Sequence, residues 1–207
     1  MGMNGCYLRV PAAELSRLRG DAAFLRDLTR PKRSLGPLSG PLGIPWWLKI
    51  MMWTVNRNGW REMKRAASDR VGDSPSLPAW ERLDIGKSWH ALHWILCRQA
   101  EGGPEPLIHA TANGGGEAIG PDIGYGPACL VEPSKVAAAA AALRPFTSVA
   151  LQSRFDSAEM DGAGLYPGGF QEDALEWREE IDSAFGDVRD FYGRAAAAGD
   201  AVLLWLD

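Results

Sequence analysis

Three histidines and three cysteines are the residues of this 207-residue chain with the widest chemical range. His90 and His93 lie three apart, and His109 follows a loop. Two histidines at i and i+3 on a helix can approach one metal ion, and a zinc site needs three or four ligands. No Glu lies between them in the H-E-x-x-H manner, and their flanks, Trp89, Leu92 and Trp94, are bulky and apolar. We therefore read both as core histidines, each bonded through one ring nitrogen to a backbone carbonyl, and expect no metal and no cofactor. Cys97 lies one helical turn from His93, a nucleophile–base spacing, but a thiolate needs a positive and partly exposed setting. Its neighbour Trp94 argues for a deep, inert thiol. Cys6 has no base near it in sequence.

The glycine-rich stretch 114–126 has neither G-x-x-x-x-G-K-[ST] nor a G-x-G-x-x-G between strand and helix, so it offers no phosphate cradle. Its polar residues suggest another role. Loops bearing polar aromatics over a rigid helix are where binding sites sit. On that ground Lys87, His90, His93, Asp122, Tyr125 and Tyr166 form one candidate pocket. A second candidate surface joins Trp46, Trp47, Trp53 and Trp60 to Arg57, Arg61, Lys64 and Arg65. Aromatics interleaved with positive charge can stack and neutralise a single nucleic-acid strand. The cluster matches no named module, and a packing helix with a solvated basic face is the simpler reading.

These groups need a scaffold. Charged residues are 23% of the chain and apolar ones 46%, the balance of an ordinary globular domain. The spacing predicts a strand over 3–10, a helix over 11–19 entered at Pro11, and a short helix over 22–28. Residues 30–45 carry Pro31, Gly36, Pro37, Gly40, Pro41, Gly43 and Pro45, and read as a linker into the Trp-rich piece. A helix over 84–98, capped by Asp84, presents Ile85, Trp89, Leu92, His93 and Leu96 on one face and His90, Trp94 and Cys97 on the next. A strand follows at 128–131, then an alanine-rich helix over 133–143 opened by Pro133. Asp156 has capping-box spacing to Glu159. Trp177, Ile181, Ala184, Phe185, Val188, Phe191, Tyr192 and Ala195 recur every three or four residues and mark one long helix, ended by Gly199. The closing run 201–206 has the length of a buried strand. The expected fold is α/β: helices on both faces of a small mixed sheet, with a helical insertion at about residues 30–80 in a single domain.

Taken in order, several segments resemble one bacterial family. They are Met1-Gly2-Met3-Asn4-Gly5, Leu83-Asp84-Ile85-Gly86-Lys87-Ser88-Trp89-His90-Ala91-Leu92-His93, Asp122-Ile123-Gly124-Tyr125-Gly126-Pro127, Arg154-Phe155-Asp156, Leu165-Tyr166-Pro167 and Ala201-Val202-Leu203-Leu204-Trp205. The set resembles the YfbM-like proteins, a domain-of-unknown-function family, over residues 1–20 and 81–207. The resemblance implies a three-layer α/β/α sandwich and supplies no catalytic residues to carry over. Residues 30–80 depart from it, as does Glu132, which stands where the family tends to place a Ser or Thr cap.

Charge and cysteine usage bound the function. The net charge is −4, against a dedicated duplex-binding protein. Residues 1–98 hold 16 Lys and Arg against 8 Asp and Glu, whereas residues 99–207 hold 6 against 18. Three cysteines without C-x-x-C spacing read as a reducing, cytoplasmic setting. No run approaches the ~20 apolar residues of a membrane span. The expected function is a non-catalytic protein-binding module of the inhibitor or immunity type. The alternatives are a small-molecule-binding enzyme built on the histidine–tyrosine–aspartate pocket and, more remotely, single-strand contact through the Trp-rich segment.

Overall fold

Strands β1 (Gly5–Val10), β2 (Arg82–Asp84), β3 (Glu117–Asp122), β4 (Pro127–Val131) and β5 (Ala201–Leu206) form one sheet in the order β2-β1-β5-β4-β3. The structure, a computed structural model, describes residues 2–30, 79–112 and 114–207. Every neighbouring pair of strands is antiparallel, which corrects the expectation of a mixed sheet. The reason lies between β4 and β5. A single helical crossover would return the chain parallel to its start. Here two long helices stand in series, α4 (Pro133–Leu143) and α7 (Ala174–Ala198). Val131 pairs with Val202, so the chain leaves β4 and enters β5 at the same end of the sheet.

The remaining helices are α1 (Leu15–Gly20), α2 (Ala22–Thr29), α3 (Trp89–Cys97), α5 (Ser148–Gln152) and α6 (Ser157–Gly162). Alternation divides β1 and β5 between two faces. Tyr7, Val202 and Leu204 belong to the main core with α3, α4 and α7, among Leu92, Val136, Leu143, Phe185 and Phe191. The residues between them, Leu8, Leu203 and Trp205, are also buried. On β3, a Cβ added to Gly120 would overlap Cδ2 of Leu25 in α2.

Local signals set most boundaries. Pro133 opens α4, where its missing N–H costs nothing, and Glu132 makes no side-chain cap. Asp156 accepts from the Glu159 N–H at 2.9 Å, and Thr147 does the same for Ala150 at 3.1 Å. Gly199 ends α7 with φ of 69°, a conformation that glycine adopts without strain. One boundary differs from expectation. Asp84 belongs to β2, and α3 begins only at Trp89 after a 3-10 turn over Gly86–Ser88. Leu83 is paired with Tyr7, and Gly86 has φ of +59°, so the first turn of the expected helix is spent on the sheet edge. Asp84 instead closes a local turn, accepting from the Gly86 N–H at 2.8 Å.

The chain divides into two units, Met1–Thr29 with Trp80–Asp207, and Arg30–Ala79. The candidate surface of Trp46, Trp47, Trp53, Trp60, Arg57, Arg61, Lys64 and Arg65 lies outside the described residues.

Candidate functional site

Helix α3 carries both neighbouring histidines because it is apolar on two faces. Trp89, Ala91, Leu92, His93, Ile95, Leu96 and Cys97 are all buried. Its C-terminus is held by Arg154, whose Nη1 donates to the Ile95 carbonyl at 3.1 Å while its guanidinium lies 4.9 Å above the Phe146 ring. Arg98 takes the left-handed conformation just beyond, with φ of 58°.

His93 is 0% exposed. Its Nδ1 lies 2.9 Å from the Thr111 hydroxyl oxygen, and that hydroxyl donates to the Ile108 carbonyl at 2.9 Å. Nε2 is buried with no partner at close hydrogen-bond geometry. Burial first, and the neighbouring His90 second, press the pKa of His93 down to about 4 against the raising effect of the Gly102 backbone, so the ring is neutral near pH 7.

His90 is half-buried and its ring lies flat against that of Trp89, 4.6 Å between centroids. Both nitrogens are engaged. Nε2 is 2.9 Å from the Ala100 carbonyl oxygen, and Nδ1 accepts the Tyr166 backbone N–H at 3.0 Å. Burial lowers its pKa against the raising effects of Ala100 and Glu101.

Tyr166 and Lys87 gather beside His90. The Tyr166 hydroxyl accepts the Met3 N–H at 2.9 Å, and Trp89 Nε1 donates to the Met3 carbonyl at 3.2 Å. A Cβ on Gly2 would stand 2.7 Å from the Tyr166 hydroxyl and 3.0 Å from Lys87 Cε, so the absence of a side chain there lets the three meet. The structure thus brings Lys87, His90 and Tyr166 together, with His93 behind them at 6.4 Å between ring centroids. What they enclose is the N-terminal backbone.

Asp122 and Tyr125 sit elsewhere, on the hairpin joining β3 to β4, with β3 the edge strand opposite β2. Asp122 accepts from the N–H groups of Gly124 and Gly126, at 2.7 and 3.1 Å, and so shapes its own turn. Tyr125 is 50% exposed. His109 is buried under Gly115, whose Cβ would fall 2.6 Å from Nδ1. Cys97 is buried, and burial pushes its thiol up to about 11, which leaves it protonated and unreactive near neutrality. Among the described residues, no three His, Cys, Asp or Glu side chains are grouped to hold a metal ion.

Sequence reasoning did not identify the groups that fix the histidines: Thr111, the Ala100 carbonyl and the Tyr166 N–H. Two are backbone groups, which have no residue signature. It also missed an open groove of about 750 Å³ between α4 and α7, lined by Ala137, Ala140, Arg144, Arg189 and Gly193 among others. Arg189 there faces Asp190 at 3.5 Å, and Arg194 pairs with Glu81 at 2.6 Å.

Comparison with known proteins bears on this geometry. The family model described as "Domain of unknown function (DUF1877)" matches residues 1–205, a range that includes the 30–80 stretch. Among solved structures, a protein of unknown function, YfbM from Escherichia coli, is similar over 99% of each chain, with a TM-score of 0.58 and 16% identity. That likeness is one of fold. No curated protein matches. Among the described residues, no helix is long and apolar enough to cross a membrane.

Proposed function

This chain belongs to the DUF1877 domain family, and from that premise we propose that it is a non-catalytic protein-binding module of the inhibitor or immunity type, working in the bacterial cytoplasm. One observation carries the reading: His90 spends both ring nitrogens on backbone groups. A general base needs a nitrogen within reach of a substrate proton, and His90 offers none. His93 is buried and neutral, and the Cys97 thiol is buried and protonated. The chemistry of the histidine helix is therefore spent on holding the N-terminal backbone and the sheet together, and the work falls to the outer surface. The charge contrast between the two halves of the chain favours docking steered by electrostatics. Three free cysteines suit a reducing compartment. A three-layer α/β/α sandwich is part of this reading, supported by the approach of Leu25 to Gly120 on one side and the packing of α3, α4 and α7 on the other.

Affinity purification from the native host at low ionic strength tests it. The reading expects a stoichiometric protein partner that dissociates as salt is raised. Recovery of the chain alone at every salt concentration contradicts it. One observation favours the small-molecule reading: exposed Lys87 lies beside the Tyr166 hydroxyl next to Gly2. That reading expects a metabolite to co-purify with the wild type and to be lost in Lys87→Ala.

A further inference from the structure

His90 joins three separate stretches of backbone through one neutral ring. A carbonyl only accepts and a backbone N–H only donates. The Ala100 carbonyl at Nε2 and the Tyr166 N–H at Nδ1 therefore fix the ring as the Nε2–H tautomer, with the Nδ1 lone pair turned to Tyr166. Tyr166 passes the constraint on, because its hydroxyl accepts the Met3 N–H while Trp89 Nε1 holds the Met3 carbonyl. We propose that His90 is an acid-sensitive clasp: a proton on Nδ1 sets two N–H groups head to head, frees the Tyr166 segment from α3, and with it releases the N-terminal residues that the Tyr166 hydroxyl holds.

The ring is only half-buried, so protons reach it from solvent. The charged and titratable groups around it come from each packed element. Glu101, beyond the end of α3, favours the protonated ring. His93, one turn on, is neutral down to about pH 4. Lys87 precedes it by three residues, and the loop facing it brings Tyr166. Residues 2–4 bring no titratable side chain. Burial outweighs the raising effects of Ala100 and Glu101, so opening falls below the ordinary histidine range.

Hydrogen exchange of the Tyr166 and Met3 amides, expressed as protection relative to the unfolded chain, reads the clasp directly. In wild type, protection at both amides is expected to fall by roughly tenfold per pH unit once the ring titrates, while amides of β5 keep theirs. His90→Gln supplies an N–H for Ala100 and a carbonyl for Tyr166 and does not titrate, so its protection is expected to stay level. Level protection in the wild type overturns the proposal, as does an equal loss in His90→Gln. Should that variant fail to fold, the wild type still decides: the His90 ring nitrogens, followed by ¹⁵N chemical shift, and the Tyr166 amide must share one midpoint, and separate midpoints overturn it.

Discussion

Gly5 and Trp89 approach so closely that a Cβ added to Gly5 would stand 2.5 Å from the Cβ of Trp89 and 3.2 Å from that of Ala112. This contact seats the histidine helix on β1, since Gly5 also accepts the Ile85 N–H at 3.0 Å just before that helix begins. Both neighbours are anchored at their own Cβ, so neither can swing aside. Gly5→Ala is expected to destabilise the protein by ~1–3 kcal/mol, the usual cost of overpacking. Chemical denaturation measures it, and an unchanged midpoint would show that β1 and α3 can part without penalty.

Stability should fall in acid because of His93. Its folded pKa of about 4 lies below the ~6.5 of an unfolded histidine, so the unfolded chain binds the proton more readily. The contribution is full above about pH 6.5 and is lost progressively as pH falls toward 4. The total is on the order of 3 kcal/mol, from 1.36 kcal/mol per pH unit. Thr111 keeps its bond to Ile108 when the ring is removed. His93→Leu should therefore flatten the acid limb of the stability curve, measured by urea unfolding across that range.

Arg154 ties the segment before α6 to the end of α3. Its Nη1 reaches the Ile95 carbonyl at 3.1 Å, and its guanidinium covers Phe146. Arg154→Ala leaves a C-terminal carbonyl without its charged donor and uncovers the ring, at ~2 kcal/mol. A lysine lacks the planar fork, so Arg154→Lys should recover less than half of that loss in thermal unfolding.

The first unit should fold without residues 31–78. The ends that flank that stretch already touch: the Phe24 and Trp80 rings meet edge-on at 5.9 Å, and Arg82 Nη2 donates to the Leu28 carbonyl. A flexible Gly/Ser linker of about six residues is long enough to join them. Cooperative unfolding with the near-ultraviolet signal of the Trp89 and Trp205 environments is the expected result for the shortened chain. A molten, non-cooperative product would mean that the two units fold as one.

The elements that sequence made plain are those with an internal signal. The run at 201–206, Pro133 at the start of α4, the Asp156 cap and the periodicity of α7 each specify themselves. Strand β2 did not, because its three residues are held only by their pairing with Cys6, Tyr7 and Leu8 of β1, and their sequence continues smoothly into a helical pattern. Strand β3 contains Gly120 and Pro121 and buries Ile119 alone, so it shows no alternation, and an edge position tolerates the proline. The candidate pocket split for a related reason. Lys87, His90 and Tyr166 meet because one histidine nitrogen takes a peptide N–H 76 residues away, whereas Asp122 turned inward on its own glycines. Neither outcome is encoded in residue type.

The nitrogen shifts of the two histidine rings test the central claim most directly, because they report tautomer and charge together. The account predicts His90 as the Nε2–H form, and both rings neutral at pH 7 and unmoved by added zinc. A ring that interconverts between tautomers and titrates near its unperturbed ~6.5, or one that shifts on binding zinc, would contradict it. Such a ring would place an available base or ligand where the structure has a strut.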